Sequence, residues 1–130
     1  MRKLLGVVVG VVVLGITIWI VERIGHGIWP PPAGTDLSDP QALGGLMDTI
    51  PLGAKVAVVT GWFLGAVTGG WTARWIARWN TAAWIVTAIG AALGIITLLM
   101  IPHPLWMQLS AVLAPALGAW IATRLPLPRA

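Results

Sequence analysis

An all-α membrane fold is what this sequence predicts: a transmembrane up-down four-helix bundle with a short interfacial helix in its first outer loop. Three observations carry that expectation. Four apolar stretches of bilayer-spanning length fill most of the 130-residue chain. Hydrophobic residues make up 58% of it and charged residues only 9%. The few charges sort between the apolar stretches rather than within them. An ordinary soluble domain carries roughly 25% charged residues, and a chain this short cannot build a core large enough to hide so much apolar surface. Lipid is therefore the solvent for much of the molecule.

The first stretch, Leu4–Val21, is free of charge and predicts a helix over about residues 4–24. The second, Val56–Ala73, predicts one over 52–77, and the third and fourth predict helices over 81–101 and 105–123. At 1.5 Å per residue such runs reach roughly 27–32 Å, close to the ~30 Å hydrocarbon core of a bilayer. Backbone groups in lipid must bond within their own segment, and the apolar runs are continuous rather than alternating. Helices, not barrel strands, satisfy both conditions. Met1-Arg2-Lys3 ahead of an apolar run also suits a secretory leader, but no small-x-small cleavage pattern follows, which favours an uncleaved first helix. Residues 1–130 thus read as a single integral membrane domain.

Orientation follows from the basic residues. With a cytoplasmic N-terminus, that side holds Arg2, Lys3, Arg74, Arg78, Arg124 and Arg129. The opposite side holds only Arg23 and Lys55, together with all four acids, Glu22, Asp36, Asp39 and Asp48. The positive-inside rule therefore puts both termini in the cytoplasm. The loop of about residues 27–51 lies outside. There Pro30-Pro31-Pro32 enforces an extended stretch, and Asp39-Pro40 pairs an N-cap with proline at the first helical position, predicting a surface helix from Pro40 to about Asp48. Asn80 is placed to cap the third helix, and Pro102-His103-Pro104 makes a stiff turn into the fourth.

Small residues recur four apart on every segment: Gly6 and Gly10; Gly61, Gly65 and Gly69; Gly90 and Gly94; Ala114, Gly118 and Ala122. Such faces let helix backbones approach closely in lipid. The expected role is packing within the chain. The sharper alternative puts Gly61, Gly65 and Gly69 against a partner helix in a homo-oligomer or a larger membrane complex.

Nine tryptophans stand against one phenylalanine and no tyrosine. Trp71, Trp75 and Trp79 recur at four-residue spacing, with Arg74 and Arg78 on the adjoining face. Interleaved basic and aromatic residues can bind single-stranded nucleic acid. At the end of a membrane span the same pattern is far better explained as an anchor to lipid headgroups, and no nucleic-acid partner is expected.

Ionisable groups at a membrane are costly and so become candidates for function. Glu22 and His26, four apart, share a face at the outer end of the first helix, and His103 lies on the same side in the third turn. The simplest reading is mutual satisfaction at a wet interface. A second is a proton or cation site, with His26 titrating near neutral pH. A third is a metal site using both histidines, Glu22 and a loop aspartate, but the spacing is not specific and no metal is assigned. The absence of cysteine excludes disulfides, iron–sulfur clusters and thiol catalysis. No His-Glu-x-x-His run, phosphate-binding loop or nucleophile–base pair is present, so neither catalysis nor a cofactor is expected.

Val21-Glu22 with Gly25-His26, then Pro30-Pro31-Pro32-Ala33-Gly34, the Gly69-Gly70 pair and Ile101-Pro102-His103-Pro104-Leu105-Trp106 give the chain a further identity. In these motifs, which cover most of its length, it resembles a bacterial family of small four-helix inner-membrane proteins of unassigned activity. The resemblance implies a bacterial source and a plasma-membrane location, and supplies no cofactor or catalytic residue. The expected role is an accessory, structural or self-associating membrane component. The alternative is a small proton- or cation-coupled transporter or channel using Glu22, His26 and His103. Deep in segments two to four, only Thr60, Thr68, Thr87, Thr97 and Ser110 could serve transport, which is why the accessory role leads.

Overall fold

A computed structural model describes residues 1–30, 41, 51–100 and 104–128. Four long helices stand among the described residues, α1 (Arg2–Ile28), α2 (Leu52–Ala77), α3 (Thr81–Met100) and α4 (Leu105–Arg124), and no strand does. Each is long and apolar enough to cross a bilayer. The chain is an all-α four-helix bundle of multi-pass membrane type. Of the outer-loop helix expected over Pro40–Asp48, only Gln41 lies among the described residues, and it is helical. His103 and its turn lie outside them.

Each helix stops for a local reason. α1 continues through Glu22, Arg23 and His26, past its uncharged run, and ends at Trp29 (φ −124°, ψ 75°). Pro30 follows, and proline disfavours helical backbone on the residue before it. α2 ends at Arg78, the only described non-glycine residue with positive φ (52°, ψ 41°). Its N–H donates to the Arg74 carbonyl at 2.8 Å, closing the last turn in the left-handed conformation where glycine is usual. α4 gives way at Leu125 to extended backbone ahead of Pro126.

α2 touches all three other helices, and its broadest contact is with α1. The two run antiparallel along a seam of small residues. Gly6 meets Ala73 and Ala77, and Gly10 meets Gly69 and Ala73. Leu14 lies on Gly69, Ile18 on Gly65, Val21 on Gly61, and Trp29 covers Gly53. Side-chain hydrogen bonds join α1 to α2 at two places, between the Thr17 and Thr68 hydroxyls at 2.8 Å and from Arg2 Nε to the Ile76 carbonyl at 2.6 Å. On the other side of α2, α4 runs parallel to it, with Gly118 against Phe63 and Ala66, and Ala122 against Gly70. α3 packs on α1 through Val86 at Gly10 and through Gly90 at Leu14.

These contacts show what lies against the glycine stripe of α2. Gly61, Gly65 and Gly69 face α1 of the same chain, so no partner helix can dock there without displacing α1. Gly94 differs from Gly90: among the described residues, a Cβ on it meets nothing within 4 Å. The physical reason lies in α3, whose buried residues end at Thr87. Beyond that point Ile89, Leu93, Ile96 and Leu99 are exposed. The bundle is therefore tightest toward the end carrying Met1, Arg78 and Leu125 (the basic end), where Ala73, Ala82, Ala83, Val86, Ala119 and Ala122 are each 0% exposed. Toward the opposite, loop end α3 leans away.

Candidate functional site

Two places gather polar chemistry. The first is the loop-end half of α1. Glu22 is half-buried and His26, one helical turn further on, is exposed. Glu22 in turn lies one turn beyond Ile18. Ile18 and Leu14 line a crevice together with Trp62 of α2, Thr87, Gly90 and Gly94 of α3, and Ala111 and Pro115 of α4. All four helices contribute to it, at the level where α3 parts from α1. Of the three residues picked out in the sequence, the structure places Glu22 and His26 on the same stretch of α1, and His103 is outside the described residues. Among the described residues no three His, Asp or Glu side chains come together in a way that would hold a metal ion.

Hydroxyls along the helices mostly serve their own helices. Thr60 donates to the Val56 carbonyl at 2.8 Å, Thr97 to Leu93 at 3.1 Å and Ser110 to Trp106 at 2.7 Å. Such back-bonding satisfies the hydroxyl without offering it to a passing solute. Thr87 behaves differently: it is 5% exposed and its Oγ1 has no hydrogen-bond partner among the described residues.

The second place is the basic end. Arg74, half-buried near the end of α2, donates from Nε to Asn80 Oδ1 at 2.5 Å. Its Nη1 donates to the Ala122 carbonyl at 3.0 Å and the Leu125 carbonyl at 2.6 Å. The Ala122 carbonyl belongs to the last turn of α4, whose final four C=O groups have no partner within the helix, and Leu125 is the residue that ends it. The guanidinium fork thus caps α4 from α2. Around it, Trp71 Nε1 donates to the Pro126 carbonyl at 3.0 Å, Arg78 Nη2 to Pro128 at 3.0 Å, and Arg2 Nε to Ile76 at 2.6 Å. Lys3 Nζ stands 4.6 Å from the Trp79 ring centre, and Arg124 lies 5.3 Å from that of Trp120. Trp71 and Trp75 pack at 5.5 Å. Of the aromatic and basic stripe, Trp75 and Arg78 are exposed, whereas Arg74, Trp71 and Trp79 are partly covered.

Sequence reading found the Trp and Arg stripe but missed where Arg74 and Trp71 donate, because backbone carbonyls carry no sequence signature. It also passed over Pro115, which lies inside α4 and is buried. A proline within an apolar run was the available signal. Comparison of the chain with protein-family models, with curated proteins and with solved structures finds no match.

Proposed function

We propose that this chain is a non-catalytic component of a bacterial plasma membrane, with both termini in the cytoplasm, acting as an accessory or self-associating four-span unit. One observation carries the reading. The half of the bundle toward the basic end is closed by fully buried alanines and Val86, with Arg74 tied across its end, so the described residues offer no polar path along the bundle. Association with a second copy or a larger assembly would use the exposed apolar sides of α3 and α4, where Leu93, Leu99, Leu109 and Leu113 lie, because the α1–α2 seam is already occupied.

The test is reconstitution of the full chain in proteoliposomes, together with crosslinking in native membranes. Proton flux no faster than in protein-free vesicles, with a crosslinked species larger than one chain, supports the accessory reading. A second reading rests on Glu22, a half-buried carboxylate one turn from the crevice. In it the chain is a small proton- or cation-coupled transporter with Glu22, His26 and His103 at its outer face. Proton-linked flux that disappears in Glu22→Gln would establish it and overturn the first.

A further inference from the structure

Among the described residues, the hydroxyls inside the helices follow one habit, and Thr87 is the buried one that departs from it. Thr60, Thr72, Thr97, Thr123 and Ser110 each donate to a carbonyl three or four residues back on their own helix, and Thr17 and Thr68 bond to each other, leaving one of the pair to donate back in the same way. Thr87 sits inside α3 with the same option, yet its buried Oγ1 bonds to nothing among the described residues and the residue lines the interhelical crevice. On α4, Pro115 lines the same crevice. Proline has no N–H, so the Ala111 carbonyl, one turn back, loses its helical donor. Ala111 is 2% exposed and lines the crevice too.

Thr87, whose hydroxyl has no acceptor among the described residues, and Ala111, whose carbonyl lacks the N–H four residues on, therefore line one crevice in the apolar middle of the bundle. Buried polar groups are costly to leave unpaired, and in hydrocarbon no solvent rescues them. We propose that Thr87 and Ala111 hold one bound water molecule, which accepts from the Thr87 hydroxyl and donates to the Ala111 carbonyl. The crevice has room for about one water, and two or more polar partners are what a buried water requires. The bridge replaces the missing rung of α4 with a link to α3, coupling those helices at the level where the bundle begins to open. The site holds under either functional reading above.

Solid-state NMR of the labelled full chain in bilayers tests it, through magnetisation transfer from water protons. Transfer to Thr87 and Ala111, with none to the equally buried Val86 and Ala119, is the expected result. The shape-conserving Thr87→Val loses transfer at Ala111, whereas Thr87→Ser retains it. Pro115→Ala, which restores a donor to the Ala111 carbonyl, also loses transfer and covers the case in which Thr87→Val fails to fold. Absence of transfer at Ala111 in the unaltered chain, or transfer unchanged in both Thr87→Val and Pro115→Ala, overturns the assignment.

Discussion

Gly10 and Gly69 approach each other so closely that neither can carry a side chain. A Cβ on Gly10 would lie 2.7 Å from the Gly69 carbonyl oxygen, and one on Gly69 would lie 2.6 Å from that of Gly10. Both obstacles are backbone, which cannot rotate aside. Gly69→Ala should destabilise the bundle by about 1–3 kcal/mol, the range for overpacking. Gly94→Ala, which meets open space, should stabilise α3 by up to about 1 kcal/mol, from helix propensity alone. Reversible unfolding in mixed micelles measures both, and equal effects would mean that α1 and α2 do not pack as described.

Arg74 binds three acceptors through one planar group, a geometry that lysine cannot copy. Arg74→Gln should cost about 2–3 kcal/mol, as expected for losing hydrogen bonds to a charged donor. Arg74→Lys should recover less than half of that loss. Full rescue by lysine would show that charge at the headgroups, not the fork, is what matters.

Arg78 holds a left-handed conformation that costs a residue with a Cβ roughly 1–2 kcal/mol. Against this stands one exposed bond to the Pro128 carbonyl, a net contribution of about 0.5–1.5 kcal/mol. Relief of strain wins in Arg78→Gly, which should be neutral to slightly stabilising. Arg78→Ala keeps the strain, loses the bond and should be the less stable of the two. Thermal unfolding of the pair, side by side, reads the order directly.

Thr17 and Thr68 share the one hydroxyl–hydroxyl bond across the α1–α2 seam. A double-mutant cycle to valine should return a coupling near 0.6 kcal/mol, typical of side-chain bonds inside membrane proteins. Each hydroxyl has one proton, so the one that donates across gives up its bond back to Val13 or Leu64, and this competition keeps the coupling small.

The number and placement of helices were legible in the sequence because hydropathy and length are one-dimensional properties. α2 spans the stretch from Leu52 to Ala77 although it is rich in glycine, since lipid leaves the backbone no other partner. The end of α1 was only partly legible: hydropathy alone stops it near residue 24, the shared face of Glu22 and His26 carries it to His26, and the helix runs on to Ile28. Pairing of faces was not legible either. Small residues four apart occur on all four helices, so the sequence offers several equivalent seams, and only the structure selects Gly61, Gly65 and Gly69 for α1 while leaving Gly94 open. Thr87 looks the same as Thr97 in a string of letters. What separates them is a neighbouring helix that carries Pro115, a relationship between residues 28 positions apart.

The reach of Arg74 has a consequence for biogenesis. The carbonyls it caps are made 48 and 51 residues later in translation. While α3 is being inserted, that guanidinium has only Asn80 and the bilayer edge for company. Closure of the basic end therefore waits for the last helix to leave the ribosome. A nascent polypeptide halted before Leu125 would present membrane proteases with a bundle that is inserted but not latched.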